Sequence, residues 1–207
     1  MEDIYKDIIC VTNRKLAVRP FLEQIKYVCE KKPKAVVLRE KDMEYEAYLK
    51  LAENVKKICD SYEVKFIPHF FFEVCDALGV SDIHLPLWKL IEIEKKESNE
   101  IKIEPSKADL SGVESIIKKI GVSVHSADEA VRAKELGASY LFAGHIFETD
   151  CKKDIRPRGV LFLEEVCKAV DIPVYAIGGM HADEKLLKEM KDKGAAGMAI
   201  MSDFMKM

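Results

Sequence analysis

Ser139-Tyr140-Leu141-Phe142-Ala143, continued by Gly144-His145-Ile146-Phe147-Glu148-Thr149-Asp150-Cys151-Lys152-Lys153, is the stretch on which the reading of the fold turns. Its first five residues form an apolar run of strand length and read as a buried β-strand. Gly144 ends that run, and a polar, cationic loop begins where the strand stops. In α/β folds, the C-terminal end of a parallel strand is where ligands sit.

Strands and helices alternate outward from this point. Upstream, strands are expected at residues 8–12, 35–38, 64–67, 81–85 and 120–125, separated by helical patterns at 21–31, 45–62, 71–78 and 126–136. Ser126 followed by Glu129 is a capping box, which marks the last of these helix starts. Downstream come a helix at 160–170, a strand at 173–177, a helix at 183–193 and a strand at 196–201. Residues 92–109 are rich in charge and contain Pro105, so they read as a helix fragment plus an exposed connection. Eight βα units predict a single (β/α)8 TIM-barrel domain over residues 1–207, its last helix truncated to a stub at 203–207. Such a stub leaves part of strands eight and one bare unless the N-terminal segment or a partner subunit covers them.

Composition narrows the function classes. A chain of 207 residues, 48% apolar, can bury a full core, and its net charge of −3 gives no support for a nucleic-acid or basic membrane-surface partner. No run approaches the roughly 18 apolar residues of a transmembrane helix. The acidic start Met1-Glu2-Asp3 lacks a signal-peptide stretch, so a cytoplasmic location is expected. The six cysteines form no Cys-x-x-Cys pair, which argues against a zinc ribbon or disulfide framework.

The five histidines (His69, His84, His125, His145 and His181) all fall at or just past expected strand ends, where a barrel mouth gathers them. Such positions also favour imidazoles bonded to backbone, and no His-x-His spacing supports a metal site. An imidazole can take and give a proton near neutral pH, so His125, directly before a helix, is the first candidate acid/base and His145 the second. Gly178-Gly179 permits close backbone approach to an anion, although a plain tight turn needs the same pair. Met201-Ser202 opens the final stub, whose N–H groups face the same side. Ser123, Thr149 and Lys152 add hydroxyls and charge, and Arg39 and Lys41 project toward the mouth if strand alternation holds.

Taken together, Leu38-Arg39-Glu40-Lys41, Gly121-Val122-Ser123-Val124-His125-Ser126, the Gly144–Lys153 loop, Ile177-Gly178-Gly179-Met180 and Met201-Ser202 resemble the thiamin phosphate synthase superfamily. The likeness is strongest to its TenI-like thiazole tautomerase branch, since the synthase loop commonly has proline where His145 stands. The resemblance implies a metal-independent isomerase that aromatises a carboxythiazole phosphate tautomer, with His125 as general acid/base. It assigns Gly178, Gly179 and Ser202 to the phosphate, and Arg39 and Lys152 to anion contacts. Its alternative activity, thiamin phosphate synthase, joins a pyrimidine diphosphate to a thiazole phosphate using magnesium held by acidic residues after strands three and four. Here those positions read Pro68-His69-Phe70-Phe71 and Leu85-Pro86-Leu87-Trp88. A catalytically idle barrel that binds a phosphorylated metabolite and regulates a partner is the remaining alternative. The expected ligand is a small phosphorylated thiazole without a cofactor, and the expected assembly is a homodimer.

Overall fold

The computed structural model describes residues 4–100, 116–149 and 156–207. Its strands are β1 (Ile8–Val11), β2 (Ala35–Leu38), β3 (Lys65–Pro68), β4 (Asp82–Pro86), β5 (Lys119–Val124), β6 (Tyr140–Gly144), β7 (Val174–Ile177) and β8 (Gly197–Ile200). The helices between them are α1 (Phe21–Glu30), α2 (Tyr45–Ser61), α3 (Glu73–Leu78), α4 (Leu87–Glu100), α5 (Ala127–Glu135), α6 (Gly159–Ala169), α7 (Glu184–Asp192) and the five-residue α8 (Ser202–Lys206). All pairings are parallel, in the order β3-β2-β1-β8-β7-β6-β5-β4. The ring closes where His69 bridges His84 and the Phe70 N–H donates to the His84 carbonyl at 3.1 Å. This is the expected (β/α)8 barrel with a short last helix.

Alternation along each strand sorts the core into two layers. Ile9, Val11, Val37, Ile67, Tyr140, Phe142, Tyr175 and Ala199 form a cluster drawn from strands alone, which fills the barrel. Their neighbours Ile8, Cys10, Val36, Leu38, Leu141, Ala143, Met198 and Ile200 pack outward against the helices. Burying one such large side chain stabilises the fold by ~1.5–3 kcal/mol. The same parity carries past the strand ends, which is why Arg39, Ser123 and His125 turn toward the mouth.

The expected gap over strands eight and one is covered by the N-terminal segment. Phe204 and Met205 of α8 are fully buried, and the Tyr5 ring, in the 3-10 turn Ile4–Asp7, lies 6.0 Å from that of Phe204. Gln24 Nε2 donates to the Phe204 carbonyl at 2.7 Å, and the Val18 N–H to that of Met205 at 3.1 Å.

Some boundaries depart from expectation. α4 begins at Leu87, directly after β4, instead of near residue 92, because no turn signal separates Pro86 from a helical run. α3 begins at Glu73 rather than 71, with Phe72 at its N-cap. The expected exposed connection at 101–109 lies outside the described residues.

Candidate active site

The strand ends surround a cavity of about 1280 Å³. Arg39 and Lys41 line it after β2, Ser123 and His125 at the end of β5, and His145 and Thr149 after β6. Gly178 and Gly179 line it after β7, and Met201 and Ser202 after β8. Segments more than 150 residues apart in sequence therefore share one space. Lys152, with Cys151 and Lys153, lies outside the described residues.

His125 is fixed from two sides. Ser126 caps α5 by accepting the Glu129 N–H at 3.0 Å, and the Glu129 carboxylate reaches back to accept the His125 N–H. The ring Nδ1 lies 2.7 Å from the Gly144 carbonyl oxygen. A carbonyl only accepts, so Nδ1 carries a proton, and in the neutral imidazole Nε2 then holds the lone pair. No described residue bonds that Nε2. In its neutral form the ring is a base whose tautomer is set by the backbone of β6.

The β6 and β7 loops are laced together. The Ile146 N–H donates to the Ile177 carbonyl at 2.9 Å, and the Phe147 N–H to that of Gly178 at 3.0 Å. Gly178 (φ 99°) and Gly179 (φ 70°) are needed for this approach. A Cβ on Gly178 would sit 2.3 Å from His145 Cβ, and one on Gly179 would sit 2.6 Å from Phe147 Cβ. His145 itself is buried, and its carbonyl accepts the Arg158 N–H at 3.0 Å.

The five histidines do not all meet at the mouth. His69, His125, His145 and His181 line the cavity, but His84 is a correction. Its strand runs on to Pro86, and inward parity takes the ring into the barrel, where it stacks on Phe142 with centroids 4.1 Å apart. Burial pushes the His84 imidazole well below its ordinary range. Burial, then the charges of Arg39 and Lys41, push His69 down to about 3.

Acid sensitivity follows from this pair. Below about pH 6.5 the unfolded chain protonates both imidazoles and the folded chain does not, so stability falls with pH by ~1.4 kcal/mol per unit for each histidine. The urea midpoint is expected to drop between pH 7 and pH 5, and to drop less in His69→Gln. Equal midpoints at the two pH values would contradict the buried neutral pair.

Sequence reasoning missed Arg156, Lys206 and Asp203, all of which line the cavity. Arg156 could have been found: Arg156-Pro157-Arg158 leads into α6 on the same side as the other strand-end loops. Asp203 is occupied structurally, its carboxylate accepting the Ala182 N–H at 2.9 Å.

Magnesium takes hard oxygen ligands in near-octahedral geometry. The ends of β3 and β4 offer His69, Phe70, Pro86, Leu87 and Trp88 instead of carboxylates. Among the described residues, no group of three or more His, Cys, Asp or Glu could hold a metal. The donor set at those strand ends does not fit magnesium.

Residues 8–204 match the family described as TMP-TENI, thiamine monophosphate synthase. The chain is 31% identical over 197 residues to thiamine-phosphate synthase 2 of Streptococcus pneumoniae serotype 4, covering 95% of this chain and 86% of that protein. It is 32% identical over 186 residues to the thiamine-phosphate synthase of Lacticaseibacillus paracasei, covering 90% of this chain and 79% of that one. A thiamine phosphate pyrophosphorylase structure from Pyrococcus furiosus superposes with a TM-score of 0.74 at 24% identity, over 99% of this chain and 90% of that one, which speaks for the fold alone. No helix among the described residues is long and apolar enough to cross a membrane.

Proposed function

The chain belongs to the thiamine monophosphate synthase family, an enzyme family of thiamin biosynthesis, and from that premise we propose that it works on a phosphorylated thiazole held at the barrel mouth. In this reading the phosphate lies against the backbone of Gly178 and Gly179 and the start of α8 at Ser202. Arg39, Lys41 and Lys152 supply positive charge, Ser123 and Thr149 supply hydroxyls, and Met201 packs below the ligand. The observation that carries the proposal is the free Nε2 of His125, with its tautomer held by the Gly144 carbonyl at 2.7 Å. It supports an isomerase that aromatises a carboxythiazole phosphate tautomer. Nε2 takes a proton from one carbon, the released electron pair enters the ring system, and the imidazolium returns a proton at a second carbon. Nothing leaves, so atoms and charge balance without a cofactor. His145 is the second acid/base candidate.

The names of the relatives fit a second reading better than they fit an isomerase. They favour a thiamin phosphate synthase, a transferase joining a pyrimidine diphosphate to a thiazole phosphate. The donor set at β3 and β4 weighs the other way. Two assays on one preparation separate the readings: conversion of the tautomer with chelator present, and formation of thiamin phosphate from both substrates with magnesium. Product only in the second assay would overturn the isomerase.

Trp88 is the sole tryptophan, it is 58% exposed, and it lies on the cavity rim 5.8 Å from the Phe70 ring. Thiazole phosphate is therefore expected to change tryptophan emission in a saturable way, and Arg39→Ala to shift the midpoint upward. A flat titration would argue against occupancy of this mouth. The expected homodimer and cytoplasmic location belong to the same proposal. Sedimentation velocity would distinguish one 23.5 kDa chain from two.

A further inference from the structure

Below the cavity floor, three polar side chains from adjacent strands form a line. Tyr140 on β6 reaches across β5, because Gly121 leaves room for its ring: a Cβ there would sit 2.1 Å from Tyr140 Cζ. Gly121 is also the register partner of His84 on β4. The Tyr140 hydroxyl consequently meets His84 Nδ1 at 3.3 Å, while His84 Nε2 lies 2.9 Å from Ser123 Oγ. Of the three, only Ser123 lines the cavity.

The direction of these bonds follows from satisfaction of buried groups. The Tyr140 hydroxyl is buried, burial raises its pKa so that it keeps its proton, and His84 Nδ1 is its only acceptor among the described residues. Tyr140 must therefore donate to Nδ1. A neutral imidazole then carries its proton on Nε2, which donates to Ser123 Oγ. With its oxygen accepting from His84 and no other described partner, the Ser123 O–H is turned toward the cavity. We infer that His84 is a positioning residue that relays the Tyr140 hydrogen bond and sets Ser123 as a donor, so that this part of the mouth selects a substrate atom that accepts, such as a carboxylate oxygen or a bare ring nitrogen. The inference deepens the proposed substrate reading and rests on it for the ligand. The relay itself stands without a ligand.

Nitrogen-resolved NMR of the ligand-free full chain tests the relay. The expected signature is a neutral His84 protonated at Nε2 and bare at Nδ1, giving way to mixed tautomers in Tyr140→Phe. A proton on Nδ1, a doubly protonated ring at pH 7, or no response to Tyr140→Phe overturns it. Calorimetry with thiazole phosphate then tests the consequence. Ser123→Ala is expected to weaken binding by ~2–10-fold, the worth of one neutral hydrogen bond. His84→Leu should weaken it similarly, and the double variant no further. Multiplied losses in the double variant would contradict action through Ser123. Retention of binding in His84→Gln, which keeps an N–H donor, separates positioning from mere packing. Absence of binding by the unaltered protein would count against the substrate reading, and the NMR result would still decide the relay.

Discussion

His125→Ala is expected to lower turnover of the carboxythiazole phosphate tautomer by ~10²–10⁴-fold, the usual worth of one general acid/base. The loss should appear in kcat and leave ligand affinity nearly unchanged, because the phosphate contacts assigned to the β7 and β8 ends are not touched. Stability should change little. The substitution removes one hydrogen bond to the Gly144 carbonyl at 2.7 Å, a net ~1 kcal/mol, and leaves the Glu129 and Ser126 capping contacts in place. His125→Gln is the sharper control: its amide can still donate to that carbonyl, but it cannot accept and return a proton at neutral pH. Turnover that survives either substitution would remove His125 from the chemistry.

Gly178→Ala is expected to be strongly destabilising. At φ 99° an L-residue is strained whatever the space, at ~1–3 kcal/mol. The added Cβ would also sit 2.3 Å from His145 Cβ and 2.7 Å from His145 Cα. A side-chain rotation cannot relieve contact with a Cα. The β6 loop must move instead, breaking the Ile146-to-Ile177 and Phe147-to-Gly178 hydrogen bonds, for a further ~1–3 kcal/mol of overpacking. A melting temperature lower by roughly 10 °C is expected at this chain length, with loss of the tryptophan response to thiazole phosphate. Gly137→Ala provides the comparison, since it has a φ of 87° and nothing within 4 Å of its Cβ. Equal melting temperatures for the two variants would mean that the loop contact contributes nothing.

Most of the barrel was legible because most strands are short, largely apolar runs bounded by glycine, proline or charge. Inward and outward parity followed from alternation, and it carried Arg39 and Ser123 to the mouth. The Ser126/Glu129 capping box was legible too, although Glu129 reaches the amide of His125, one residue before the cap. His84 was not. A single residue of strand length and the small residues opposite, Gly121 and Ser123, decide whether that ring tops the barrel or sinks into it, and these are cross-strand facts that no local pattern carries. Arg156 was missed for a related reason: loop residues carry no periodicity, so their direction depends on where the next helix docks. The β7 loop shows the limit most clearly. Its glycine pair reads equally as a tight turn or an anion cradle, and the close packing of Gly178 on His145 accounts for the glycines whether or not a phosphate binds beside them.

In the proposed function, His125 moves a proton within a thiazole phosphate without magnesium. The most direct measurement is proton NMR of the tautomer incubated with the protein in deuterated buffer containing a chelator. The predicted result is aromatic product carrying solvent deuterium at the newly protonated carbon, at a rate the chelator leaves unchanged. Tautomer that stays unconverted, while pyrimidine diphosphate and magnesium yield thiamin phosphate on the same preparation, would contradict it.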